Sequence, residues 1–161
     1  MDFRVGNGYD VHLLSDALPF FLGGLKIEHT KGCVAHSDGD TLIHALCDAL
    51  LGSLSLGDIG KHFPDTSSEF KGIDSKILLQ RSYSLIKERG YKLVNADCTI
   101  LLQKPKIAPY INDMRATIAN ILECESDRIS IKATTTEGAG FVGREEGIAV
   151  YATVLCMRED Y

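Results

Sequence analysis

From Leu93 to Gln103 the chain places Val94, Ala96, Cys98, Ile100 and Leu102 at every second position, so they fall on one face of an extended strand. A strand that long, with one apolar face, needs neighbouring strands at its edges and a cover over that face. The rest of the chain supplies both. Phe3 to Tyr9, Ile129 to Thr134 and Ile148 to Met157 read as strands, and Pro19 to Leu22 with Leu25 to Glu28 reads as a hairpin turning at Gly23-Gly24. Leu42, Leu46, Ala49, Leu50 and Leu54 recur at helical spacing behind a capping pattern, Ser37 to Asp40. Asp40, His44 and Asp48 form a polar stripe on the other side of that helix. A second helix is expected from Ser75 to Arg89, ended by Gly90. A third opens at Pro109, with Ile111, Met114, Ile118 and Leu122 inward. The pattern predicts one α+β domain over residues 1–161, with long loops at Gly57–Gly72 and Thr135–Gly147. Loops of that length in a compact domain are usually binding elements.

Composition narrows the partners. With 45% hydrophobic and 24% charged residues the chain is an ordinary globular one. Its 17 basic and 22 acidic residues leave a formal charge of −5, and no two Lys or Arg residues are adjacent, which argues against nucleic acid. The longest mostly apolar stretch, Ala17 to Leu25, is broken by Pro19 and two glycines and is too short to span a bilayer. No membrane partner is expected. Met1-Asp2-Phe3-Arg4 does not read as a secretory leader. The five cysteines, Cys33, Cys47, Cys98, Cys124 and Cys156, are scattered without a Cys-x-x-Cys pair, which points to reduced thiols in a reducing compartment.

Asp10 and His12 are two apart at the end of the first strand, so they share a face; His44, from the start of the following helix, can supply a third ligand. Two imidazoles and a carboxylate suit a tetrahedral zinc that keeps one position for a substrate oxygen. An isolated Asp-x-His is equally satisfied by surface hydrogen bonds, so His44 is what gives the pattern weight. His36-Ser37-Asp38-Gly39-Asp40 reads either as a capping network or as a phosphate site at a helix N-terminus. Its Asp-Gly-Asp resembles a calcium loop, but the later ligand positions are apolar. Thr134, Thr135, Thr136 and Glu137 gather hydroxyls and a carboxylate at a strand end, and Arg144 in the following loop can pair with Glu145 or Glu146, or hold a phosphate.

Together the segments Gly8-Tyr9-Asp10-Val11-His12, Ala35-His36-Ser37-Asp38-Gly39-Asp40, Gly57-Asp58-Ile59-Gly60, Phe63-Pro64-Asp65, Gln103-x-Pro105-Lys106, Lys132-Ala133-Thr134-Thr135-Thr136-Glu137 and Gly140-Phe141-x-Gly143-Arg144-x-Glu146-Gly147 resemble the 2-C-methyl-D-erythritol 2,4-cyclodiphosphate synthase family. The resemblance runs in the family's order from the first strand to Cys156. One departure is Asn7, where many members carry His; the position is not a family metal ligand, so it bears on local hydrogen bonding.

The resemblance implies a mixed four-stranded sheet covered by helices on one face, assembled as a homotrimer around the three sheets with active sites at subunit interfaces. It implies a lyase of non-mevalonate isoprenoid biosynthesis. The substrate, 4-diphosphocytidyl-2-C-methyl-D-erythritol 2-phosphate, would close to the 2,4-cyclodiphosphate with loss of CMP. By position, Asp10, His12 and His44 would hold zinc or another divalent ion, and Glu137 a magnesium or manganese. His36 and Thr135 would stabilise the transition state, with His36 and Ser37 bonding phosphate oxygens. Val11 belongs to the substrate strand. Asp58, Ile59, Gly60, Phe63, Pro64, Asp65, Thr66 and Ser67 would line the sugar pocket. Leu102, Gln103, Lys104, Pro105, Lys106, Ile107 and Ala108 would shape the cytidine site with Thr134, Thr135, Thr136 and Glu137. Phe141 and Arg144 would close over the diphosphate. Asp48, by its spacing, is expected to support a ligand histidine.

Two other readings compete. One is a non-catalytic trimer binding a nucleotide or isoprenoid diphosphate on the same scaffold; the other is a metal phosphohydrolase, which would want carboxylates bridging two close metals. The intact ligand set and Thr135/Glu137 favour the lyase. The few residues before Asp10 and the thiol content fit a bacterial cytoplasm, with a processed plastid form as the alternative.

Overall fold

The computed structural model describes residues 2–159; Met1, Asp160 and Tyr161, which the single-domain expectation included, lie outside the described residues. In chain order the elements are β1 (Phe3–Asp16), β2 (Phe20–Leu22), β3 (Leu25–Ile27), β4 (Lys31–Cys33), α1 (Thr41–Ser53), α2 (Ile59–His62), α3 (Ser75–Glu88), β5 (Tyr91–Leu101), α4 (Ile111–Ile121), β6 (Ile129–Thr134), α5 (Gly140–Gly143) and β7 (Gly147–Arg158). The main sheet runs β4-β1-β7-β5-β6, and β2 with β3 forms the separate hairpin. Four strands are long; the three-residue β4 on the edge of β1 makes five, one more than the expected four. Among the described residues only β5 and β6 pair in parallel, and α4 makes the crossover that parallel neighbours require.

Strand β1 runs on past His12, where the sequence places its end, to Asp16. Antiparallel pairing with β7 continues from Phe3 opposite Met157 to Leu13 opposite Gly147. The even-numbered residues of β1 face α1, and the two backbones nearly touch. A Cβ placed on Gly6 would stand 1.8 Å from the Ala49 carbonyl oxygen, and one on Gly8 would stand 1.9 Å from that of Ala45. Asp10 and His12 continue the same row, so this close approach carries them to the first turn of α1, where His44 projects.

The odd-numbered face is uncovered. Phe3, Val5, Tyr9, Val11 and Leu13 are exposed there together with Tyr151, and Asn7 donates its side-chain amide to the Ala152 carbonyl and the Thr153 hydroxyl, both at 3.2 Å. The helices therefore cover one face, as expected.

Packing corrects one local reading. A bulge between Leu93 and Asn95 shifts the phase of β5, so the buried set is Tyr91, Leu93, Ala96, Cys98 and Ile100, and Val94 is only half-buried. The inward side of α4 is as expected: Met114 and Ile118 are buried with Ala119, Leu122 is buried just past the helix, and Ile111, half-buried, packs against the core. All five cysteines are free, and burial pushes the Cys33, Cys47 and Cys98 thiols up to about 12, so they pack as small hydrophobes. Among the described residues no helix is long and apolar enough to cross a membrane.

Asp40, not Ser37, caps α1, and it does not belong to the polar stripe with His44. It is fully buried and accepts from the N–H groups of Ile43 (3.0 Å), Gly23 (3.0 Å) and Gly24 (2.6 Å), tying the hairpin turn to the helix start. Asp40→Ala removes a cap and strands two further donors, so it should lower unfolding free energy by about 2–4 kcal/mol in urea titrations. A loss below ~1 kcal/mol would mean that water replaces the carboxylate without cost.

Candidate active site

Asp10, His12 and His44 offer three ligand atoms that all lie within 4.8 Å of one another. The Asp10 Oδ2 is 3.0 Å from His12 Nδ1 and 3.3 Å from His44 Nδ1. That oxygen is buried, yet it accepts no properly directed hydrogen bond among the described residues. A carboxylate oxygen facing two ring nitrogens, with no proton aligned between them, has the donor chemistry of a divalent cation site. The electrostatics agree. Burial alone would push the Asp10 carboxyl up, but the two imidazoles beside it outweigh burial and hold it below the usual carboxylate range. For His44 burial favours the neutral ring, and the carboxylates around it, Asp10 first, outweigh that and raise its pKa. This concentration of negative potential attracts a metal ion as readily as a proton.

A cavity of about 310 Å³ opens beside the triad. Besides the three ligand residues, its walls include His36 and Ser37 from the segment before α1, and Ile59, Gly60, Phe63 and Asp65 from the first long loop. Asp58 stands just outside as the cap of α2, its carboxylate accepting the Lys61 N–H at 2.9 Å. Ser67 likewise caps the turn Ser68–Phe70. Pro64 and Thr66 are exposed beside the wall, and Val11 points to the uncovered face of the sheet. The wall also contains Val34, Phe70, Ile73 and Leu78, which the motifs did not mark; being apolar, they carried no chemical signal of their own.

Asp48 does not support a ligand histidine. Its Oδ1 accepts the Ile59 N–H at 2.7 Å and so pins the start of α2, holding Ile59 and Gly60 in the cavity wall. His44 is instead met by Ser75 and Ser37, whose hydroxyl oxygens lie 2.9 and 3.2 Å from its Nε2.

The second cluster stays apart from this cavity. His12 pairs with Ile148, the adjacent Ala149 pairs with Leu101, and Leu101 pairs with Thr134. The Asp10–His12–His44 triad and the Thr134–Glu137 segment therefore share one end of the sheet with β7 and β5 between them, roughly 14 Å apart at the usual strand spacing. Thr135 donates to the Glu137 carboxylate at 2.9 Å, and the Leu102 N–H donates to the Thr134 carbonyl at 3.0 Å. Leu102 and Ile107 are buried, Gln103 and Pro105 half-buried, and Lys104, Lys106 and Ala108 exposed. Glu145 ties these loops together: its carboxylate lies 3.0 Å from Lys104 Nζ, and its carbonyl accepts from Lys31 Nζ at 3.0 Å. Arg144 is paired with Glu146 at 2.9 and 3.1 Å. Thr136 and Phe141 line a separate cavity of about 230 Å³ with Tyr9 and Tyr151, on the uncovered face. Within one chain, the structure assembles the triad, His36, Ser37 and part of the first long loop around one cavity, and leaves Thr135 and Glu137 outside it.

Residues 3–157 match the YgbB family. A Geobacillus kaustophilus protein named 2-C-methyl-D-erythritol 2,4-cyclodiphosphate synthase is 54% identical over 97% of this chain and 99% of its own length. Among solved structures, the bifunctional IspDF of Campylobacter jejuni superimposes with a TM-score of 0.95 at 43% identity; the match covers 99% of this chain and 43% of that one. A 2C-methyl-D-erythritol-2,4-cyclodiphosphate synthase described as a CDP-bound form superimposes with a TM-score of 0.89 at 36% identity, over 96% of this chain and 100% of that one.

Proposed function

The chain belongs to the YgbB family, and we propose that it is a 2-C-methyl-D-erythritol 2,4-cyclodiphosphate synthase, a metal-dependent lyase of isoprenoid biosynthesis that releases CMP from a cytidine diphosphate-linked substrate. The observation that carries this reading is the convergence of Asp10, His12 and His44 on the wall of a cavity large enough for a small phosphorylated ligand.

The chemistry sets the demands on the site. The substrate's own 2-phosphate attacks its β-phosphorus, so the nucleophile is already an anion and no strong protein base is needed. Two anionic groups must be held together instead, which takes cationic charge and rigid donors. A divalent ion held by Asp10, His12 and His44, zinc by preference of the donor set, would supply Lewis-acid charge to the β-phosphate. His36 and Ser37 stand on the cavity wall where they can donate to phosphate oxygens. Asp48 fixes the loop carrying Asp58, Ile59 and Gly60, and the segment from Phe63 to Ser67 completes the sugar side.

The cytidine side is taken to come from a neighbouring subunit: Leu102 to Ala108 with Thr134 to Glu137, Thr135 assisting His36 and Glu137 holding magnesium or manganese. Two features support a homotrimer built on the sheets. The uncovered face presents Phe3, Val5, Tyr9, Val11, Leu13 and Tyr151, and an exposed apolar area of this kind usually marks an interface. Thr135 and Glu137 also lie too far along the sheet to reach the triad of their own chain. Phe141 and Arg144 close over the diphosphate in this reading, Arg144 exchanging Glu146 for phosphate. The free cysteines and bacterial relatives agree with a bacterial cytoplasm.

Phosphorus NMR of a single-turnover mixture with the cytidylyl substrate, zinc and magnesium should show the cyclic diphosphate and CMP. Linear phosphate release would favour a phosphohydrolase, and bound but unconverted substrate a non-catalytic binder. Glu137→Gln should slow turnover about a hundredfold while zinc content stays stoichiometric. Unaltered turnover at saturating substrate would remove Glu137 from the ion-binding role.

A further inference from the structure

We infer that Ser75 and Asp38 are a positioning pair that decides which nitrogen of His44 faces the metal, an inference that rests on the triad being an ion site. Ser75 is the first residue of α3, is fully buried, and lies far along the chain from any ligand. Its hydroxyl makes two contacts: a very short one to Asp38 Oδ1, and one of 2.9 Å to His44 Nε2.

The direction of these bonds follows from elementary chemistry. A carboxylate only accepts, and a serine has one hydroxyl proton, so Ser75 donates to Asp38 and has only lone pairs left for the imidazole. His44 must therefore be the donor. Its Nε2 carries the proton, and Nδ1, 3.3 Å from the Asp10 carboxylate, keeps the free lone pair that a cation requires. Ser37 Oγ, 3.2 Å from the same Nε2, already accepts from the Gly39 N–H and does not alter this polarity if it accepts from the ring as well.

Asp38 is itself held from three sides. Its Oδ2 accepts the Ser75 N–H at 2.9 Å, its Oδ1 accepts the Asp40 N–H at 3.2 Å, and its own N–H donates to the Ile73 carbonyl at 3.1 Å. The Gly72 N–H donates to the His36 carbonyl at 2.8 Å beside it. The end of the long substrate loop is thereby strapped to the segment carrying His36 and Ser37, and the strap ends on a metal ligand.

The test measures zinc affinity of the full-length protein by competition with a chromophoric chelator, together with the visible spectrum of the cobalt form. Ser75→Ala should weaken zinc binding by roughly ten- to a hundredfold and shift the cobalt spectrum. Ser82→Ala, a fully buried serine in the same helix with no ligand contact, should do neither. Asp38→Asn reports on polarity: its amide would donate to Ser75, whose proton would turn to His44 Nε2 and place the ring proton on Nδ1. Zinc affinity should then fall at least as far as in Ser75→Ala, and the cobalt spectrum should shift with it, a change in the ligand field that loss of stability alone does not produce. Wild-type affinity and an unshifted cobalt spectrum in Ser75→Ala, or in Asp38→Asn should Ser75→Ala not fold, would overturn the pair alone. A wild-type protein that bound zinc no better than His12→Ala would bring down the ion site, and the pair with it.

Discussion

His44→Ala should yield a folded protein that retains no stoichiometric zinc and turns over the cytidylyl substrate at least about a thousandfold more slowly. The size of the effect follows from what the side chain does. It is one of the three side chains among the described residues that converge on the candidate ion site, and removing it would leave a two-ligand site of low affinity. The charge lost is the one that brings two anionic phosphates together, and a chain of net charge −5 has no surplus of cations to replace it. Folding should survive, because His44 is at the cavity wall and the apolar side of α1, including Leu42, Leu46 and Leu50, is untouched. Removing the imidazole also takes one partner from the half-buried Asp10 carboxylate, which should cost about 1–2 kcal/mol of stability. Metal analysis of the purified variant, circular dichroism and phosphorus NMR of the reaction read the three outcomes separately. Turnover persisting in chelated buffer would show that the reaction does not depend on this triad.

Much of this site was legible because its signals are local. Asp10 and His12 are two apart on a strand, and His44 stands at the start of the next helix, so alternation and helical spacing suffice to aim them at one region. What failed were the readings of Asp40 and Asp48, whose actual hydrogen-bond partners are set by the folded chain rather than by helical spacing. Asp40 looked like a member of the same helical stripe as His44, yet two of its three donors are hairpin glycines that reach it only in the folded chain. Asp48 has the spacing of a histidine's support but is claimed by the Ile59 N–H, while the residue that meets His44, Ser75, opens another helix and carries no motif. The apolar alternation of β1 breaks off at Tyr9 and the sequence carries the strand only to His12; pairing with β7 and β4 carries it on to Asp16. The bulge at Leu93/Asn95 hid because its extra residue, Val94, is apolar and prolongs the alternation of Ala96, Cys98 and Ile100, while only pairing with consecutive residues of β7 exposes the shift.

Gly8→Ala, like Gly6→Ala, should be strongly destabilising. The added Cβ would lie 1.9 Å from the Ala45 carbonyl oxygen and 2.8 Å from the Ala49 N, both backbone atoms of a helix that cannot rotate out of the way as a side chain would. Helix α1 would have to retreat from β1 by more than about 1 Å, opening gaps around Leu42, Leu46 and Leu50, which are fully buried. A loss of about 3–5 kcal/mol in urea unfolding at matched protein concentration is expected. The control is Gly52→Ala on the same helix. Gly52 is exposed, and a Cβ there meets only the Asn7 carbonyl oxygen at 3.9 Å, so alanine should stabilise by roughly 0.5–1 kcal/mol through helix propensity. The contrast extends to the site. The glycine row brings His12 and His44 to ring centroids 5.1 Å apart, so a retreating α1 draws His44 away from Asp10 and His12. Zinc affinity should therefore fall in Gly8→Ala and stay unchanged in Gly52→Ala. Were Gly8→Ala to unfold within ~1 kcal/mol of the parent with zinc affinity intact, the backbone contact between β1 and α1 could not be what sets the metal ligands in place.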